Sequence, residues 1–112
     1  MILHPYFSNS GRNLIYEYIN SLPTNERVDG YSVLEHMEKG EFDKIFYKPW
    51  DKKVYEVYFQ KNNRIFYIIF DAESIYLLHA CRKQKNKTEK RDADIVRKRA
   101  KELSQMLGKK FI

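Results

Sequence analysis

The chain reads as an α+β domain: a small antiparallel sheet, made of a three-stranded meander and an N-terminal edge strand, packed against two N-terminal helices and followed by a C-terminal helix. Three observations predict this class. Apolar residues recur at helical spacing between 14 and 22, and three runs rich in Ile, Phe, Tyr and Val follow between 54 and 81, separated by short polar turns. The last quarter then returns to helical spacing with dense charge. At 112 residues the expectation is one domain covering 1–112, large enough for a core but not for two.

In chain order, Ile2 to Phe7 forms a short strand that Pro5 confines to a sheet edge. Ser8 to Gly11 is a turn with capping residues, and Leu14, Ile15, Tyr18, Ile19 and Leu22 make one helical stripe ended by Pro23. A second helix starts at Thr24 as cap and runs to Lys39 before Gly40, with Val28, Tyr31, Leu34 and Met37 as its apolar stripe and Gly30 as a weak point. Glu41 to Lys52 reads as connection, with Ile45 and Phe46 anchoring it to the core and Trp50 a packing residue rather than a stacking platform for bases. Val54 to Phe59, Arg64 to Phe70 and Ser74 to Cys81 are the meander strands. Alternation puts Val54, Glu56 and Tyr58 on one face, Arg64 with Phe66 and Ile68, and His79 with Leu77 and Cys81. Thr88 caps a final helix to Leu107 with Ile95, Ala100, Leu103 and Leu107 inward; Gly108 ends it, leaving 109–112 as a frayed tail.

Several chemistries are disfavoured by residue type. Cys81 is the single cysteine, so no internal disulfide forms, and its strand position favours an inert buried thiol. His4, His36 and His79 share no metal-ligand spacing, and the scattered glycines build no phosphate cradle, so neither a metal nor a small-molecule cofactor is expected. No apolar run of about 18 residues occurs and the first residues lack a signal-peptide core. The expected location is the cytoplasm, away from membranes.

Charge is the sharper signal. Residues 1–81 carry nine Lys or Arg against 11 Asp or Glu, whereas 82–112 carry 12 against four. That concentration points to a polyanion such as RNA. Arg82, Lys83, Lys85, Lys87, Lys90 and Arg91 follow directly from the last strand, and Lys48, Lys52 and Lys53 add a second basic segment that would turn the patch into a groove. His79 is suited by its pKa to acid–base work, but its parity with Leu77 and Cys81 favours burial. Glu56, a carboxylate in an aromatic strand, reads as a structural partner for Arg64, a proton acceptor or a solvent-facing side chain.

The segments LIYEYINSLP (14–23), VYEVYF (54–59), RIFYIIF (64–70), LLHACRKQKNK (77–87) with Thr88, and DIVRKRAKE (94–102) together resemble, in order and spacing, the HigB-like, phage Gp49-like branch of the RelE/ParE toxin superfamily. The resemblance implies a curved sheet with two helices on one side. It also implies a toxin held by a cognate antitoxin carrying a DNA-binding domain and, in many members, an mRNA interferase acting with the ribosome on messenger RNA. Arg64 then takes the phosphate-contacting role, and Arg82, Lys83, Lys85 and Lys87 the strand-end basic cluster. The chain lacks the branch's proline after Thr88 and, where Arg91 and Asp92 stand, the tyrosine of better-studied ribonucleases, so the resemblance assigns no general base. The site expected from residues and resemblance is Arg64, Lys83, Lys85, His79 and Glu56 for catalysis, with Arg82, Lys87, Lys90, Arg91, Lys48, Lys52 and Lys53 on RNA. The superfamily also contains gyrase inhibitors, so a non-nucleolytic toxin acting on a protein, or a nucleic-acid-binding module without catalysis, are the alternatives.

Overall fold

The computed structural model describes residues 1–60, 62–83 and 88–112. Its elements run β1 (Ile2–Pro5), α1 (Leu14–Asn20), α2 (Thr24–Glu38), a short 3-10 turn at Phe42–Lys44, β2 (Phe46–Asp51), β3 (Val54–Phe59), β4 (Asn63–Ile69), β5 (Ser74–Arg82) and α3 (Lys90–Leu107). The α+β class is as expected, with a larger sheet. Strand order is β1-β5-β4-β3-β2; β2 to β5 form an antiparallel meander, and β1 lies parallel to β5, making the sheet mixed.

The unexpected strand is β2. Residues 41–52 read as connection and contain Pro49, yet Phe46 to Asp51 pair with β3 from Phe46↔Tyr58 to Asp51↔Val54. An edge strand has an outer side that needs no donor, and a register shift between Pro49 and Asp51 absorbs the irregularity. Phe46 does not anchor anything: it is 71% exposed. Ile45, its neighbour, is buried as expected.

Two apolar layers cover the sheet. On one face Ile15, Ile19 and Leu22 join Val33, Leu34 and Met37 over Val57, Phe59, Ile65, Tyr67, Ile75 and Leu77. Asn13, rather than the preceding turn, caps α1, its side chain accepting from the backbone N–H of Tyr16 at 3.0 Å. In α2 the buried stripe is shifted from the expected one: Val28 is exposed, and Gly30, Val33, Leu34 and Met37 face the sheet. Gly30 interrupts nothing. A Cβ there would lie 3.1 Å from Ile19 and 3.2 Å from Phe59, so the glycine lets α2 approach both.

On the opposite face α3 lays Val96, Ala100 and Leu103 over Val54, Phe66, Ile68 and Leu78. Its first residue is Lys90. Thr88 makes no cap; its hydroxyl accepts from the indole N–H of Trp50 at 3.0 Å. Trp50 packs edge-on against Phe66 with Arg97 over its other side, the packing role expected of it. Gly108, at φ 67°, ends the helix in the left-handed conformation. The tail beyond it is not frayed. Phe111 is 1% exposed, packs against Phe70, and donates its N–H to Ser104 Oγ while its carbonyl accepts from Lys53 N.

One irregularity in β5 decides the site. Phe66 pairs with His79 but Tyr67 pairs with Leu77, so Leu78 is the extra residue of a bulge. Leu78 and His79 consequently both face α3, whereas strict alternation put His79 beside Leu77. The expectation fails for Leu77, which faces the other way, but holds for Cys81 and for burial: His79 is 13% exposed and shares the face of Cys81, Arg64 and Glu56.

Because Phe111 closes the α3 layer, Phe111→Ala lowers the unfolding free energy by about 3 kcal/mol; urea denaturation compared with the parent chain checks this.

Candidate functional site

Two cross-strand rows on the α3 face contain the chemistry. Phe46, Tyr58, Arg64 and Cys81 stand side by side across β2, β3, β4 and β5, and Lys48, Glu56, Phe66 and His79 form the adjacent row. Helix α3 covers the β4–β5 half of these rows. The β2 end is open, with Phe46 and Lys48 exposed and Tyr58 half-buried, while Glu56 on β3 is covered.

Glu56 lies at the centre and is 1% exposed. Its Oε1 is 3.0 Å from Arg64 Nε and 3.4 Å from Lys83 Nζ. The Arg64 N–H at Nε does not point at that oxygen, so this contact is an ion pair rather than an aligned hydrogen bond. Arg64 also donates to the Asn63 carbonyl at 3.1 Å and lies with Cζ 4.8 Å from the Tyr58 ring centroid. Of the three readings open for Glu56, partnership with Arg64 is the one observed. Lys83 departs from the exposed rim position its sequence suggested: it is 5% exposed, drawn under the sheet end by this carboxylate.

A second carboxylate does the same work on the other face. Glu26 of α2, also buried, accepts from Asn63 Nδ2 at 2.9 Å and Arg82 Nη2 at 2.7 Å. Tyr18 donates to Asn63 Oδ1. Alternation explains the pairing: neighbours 63 and 64, and 82 and 83, point to opposite faces, so one member of each pair meets Glu26 and the other Glu56. Arg82 is therefore separated from Arg64 by the sheet.

His79 is 13% exposed and held on both ring nitrogens. Nε2 bonds Asp92 Oδ1 at 2.8 Å, and Nδ1 lies 3.4 Å from Arg99 Nη1. Arginine only donates, so Nδ1 accepts and Nε2 carries the proton given to Asp92. Burial, and the nearby Arg99 and Arg91, push the imidazole pKa below its usual value despite Asp92. Cys81 also meets Asp92, and burial raises its thiol to about 12, which keeps it protonated and un-nucleophilic. Donor atoms of His79, Cys81 and Asp92 lie within 4.8 Å of one another. The tautomer set by Arg99 occupies the imidazole nitrogen nearest Asp92 with a proton, which opposes a metal there. Nor is this a nucleophilic triad, because the carboxylate, not the imidazole, sits between the other two.

Of the remaining expected residues, Lys85 and Lys87 lie outside the described residues. Lys48 is exposed, with Nζ 5.9 Å from the Tyr58 centroid. Lys52 and Lys53 occupy the exposed β2–β3 turn; Arg64 pairs with Tyr58, four residues along β3 from that turn, or about 13 Å. Lys90 pairs with Asp94 at 2.7 Å, and Arg91 is exposed in the first turn of α3. The sequence gives Phe46 only a core-anchoring role, and Tyr58, Asn63, Glu26 and Asp92 no role at the site. Only Tyr58 carried a signal, by alternation with Glu56.

Removing the charge of Glu56 leaves two cations facing each other in a buried space. Glu56→Gln is expected to cost about 3 kcal/mol, and adding Lys83→Met recovers a large part of that, as read by a double-mutant cycle in urea. For His79 the fold favours the neutral ring, so the unfolded chain takes up its proton first as pH falls through about 6.5, and stability drops. His79→Gln flattens the dependence of thermal unfolding on pH between about 7 and 5.5; an unchanged slope would show that His79 is not its source.

The family model described as "Phage derived protein Gp49-like (DUF891)" matches residues 17–101, which span α1 to the middle of α3 and include both carboxylate clusters. No curated protein matches the chain. The matched region takes in most of the sequence, and the chain belongs to the phage-derived Gp49-like family, the HigB-like branch of the RelE toxins of toxin–antitoxin systems.

Proposed function

We propose that the chain is a ribosome-dependent messenger-RNA endoribonuclease, the growth-arresting toxin of a type II toxin–antitoxin pair, which uses its own cationic side chains in place of a metal ion. The family implies a cognate antitoxin as partner; the ribosome and messenger RNA are the further partners of this reading. One observation supports it most: Arg64 and Lys83 are held on a buried carboxylate at the open end of a sheet whose exposed rim carries Phe46, Tyr58 and Lys48.

Cleavage by the ribose 2′-hydroxyl builds negative charge on the scissile phosphate and requires one proton to leave the nucleophile and another to reach the departing 5′-oxygen. In this reading Arg64 neutralises the phosphate. Its guanidinium is fixed by Glu56 and Tyr58 beforehand, so little reorganisation accompanies charge development. Lys83 stands behind it as a second positive charge, and the proton transfers fall to Lys83 and Lys85, the second of which lies outside the described residues. Glu56, fully buried and paired, acts as a positioning residue. His79 holds α3 through Asp92 rather than handling substrate protons.

Brief induction followed by mapping of transcript ends tests the reading. New internal messenger breaks that require translation are expected; changes in DNA supercoiling without breaks would favour the gyrase-directed alternative. Arg64→Gln, in which Lys83 still balances Glu56, reduces cleavage about 100-fold and relieves growth arrest while melting like the parent chain.

A further inference from the structure

We propose that Phe46 and Tyr58 form a stacking subsite for one nucleobase of single-stranded RNA next to Arg64; this rests on the nuclease reading and names how that site holds its substrate. The starting point is an anomaly of burial. Phe46 is a large apolar side chain, 71% exposed on the edge strand β2, and none of the described elements covers it. Its ring lies 5.8 Å from that of Tyr58 with an interplanar angle of 24°, so the two present a nearly continuous aromatic surface rather than an isolated side chain.

The charges around that surface suit a nucleotide. Lys48 Nζ and Arg64 Cζ lie over the Tyr58 ring, 5.9 Å and 4.8 Å from its centroid, so two cations, one of them in the proposed phosphate site, sit against Tyr58 while Phe46 offers the exposed stacking face. A sequence-tolerant stack of base on aromatic ring beside a cation that takes the phosphate is the recurring arrangement for single strands. Phe46 and Arg64 are two strands apart in the same row, about 10 Å, close enough for one base and an adjoining phosphate to engage both. Pro49 and the register shift near it make the β2 edge a poor template for an added strand, which favours use of its side-chain face.

The test measures binding of the full chain to a short single-stranded RNA methylated on its 2′-oxygens, and to the same strand with abasic sugars. Phe46→Ala is expected to weaken binding to the first strand about tenfold, to leave binding to the abasic strand unchanged, and to leave the salt dependence intact. Phe46→Trp keeps the affinity, and its fluorescence is quenched when the base-bearing strand is added. Arg64→Gln weakens binding to both strands and lowers the salt slope. Equal affinity of Phe46→Ala and parent for the base-bearing strand, or equal loss on both strands, overturns the subsite while leaving the nuclease reading standing. Phe46→Ala that binds RNA normally but releases a co-expressed protein partner overturns it in favour of a protein-docking surface. A parent chain that binds neither strand and produces no transcript breaks removes both.

Discussion

Two buried carboxylates, Glu26 and Glu56, hold opposite faces of the same sheet end, and the arrangement of the whole basic site depends on them. Glu26 accepts from the Asn63 amide and pairs with Arg82, and Glu56 pairs with Arg64 and Lys83, so each holds one side chain from the start of β4 and one cation from the end of β5. A buried ion pair adds little net stability, because attraction is largely offset by desolvation. Its effect is geometric: a cation near such a carboxylate has one place to be. Four polar side chains that would otherwise wander at a strand terminus are thereby sorted by face, with Arg64 and Lys83 toward α3 and Asn63 and Arg82 toward α2.

The bulge in β5 is the second constraint. By placing Leu78 and His79 on one face it lets the same strand seal the α3 core and supply a hydrogen-bonded anchor for the helix start. Asp92 accepts from His79 while Arg99 fixes the ring from its other side, so α3 is attached both by apolar contacts and by a defined tautomer. The helix thus covers the inner half of the rows and ends its coverage where Tyr58 and Phe46 emerge. Burial of Cys81 and His79, and exposure of the aromatic rim, are two results of one docking position.

Much of this was legible in the amino-acid order. The helices at 14 and 24, the strands at 54, 64 and 74, the closing helix with Gly108, and Arg64 with Glu56 as a pair all follow from periodicity, glycine placement and the oddity of a carboxylate among aromatics. What escaped has particular causes. Pro49 disguised an edge strand, the bulge turned His79 to the face opposite Leu77, and Phe111 gave no periodic signal in a short tail. Glu26 and Asn63, 37 residues apart, form a contact for which neither has a local signature.

The α+β class, the family resemblance and the concentration of positive charge after residue 81 follow from the amino-acid order, since each is a property of local pattern or of composition. Which of those charges are presented together is set by long-range packing. It buried Lys83, turned Arg82 to the opposite face, kept Lys52 and Lys53 at the far end of β3, and left Phe46 in water. The physical reason is that a charge's role depends on where its nearest counter-charge and its covering helix lie, and those belong to residues distant along the chain.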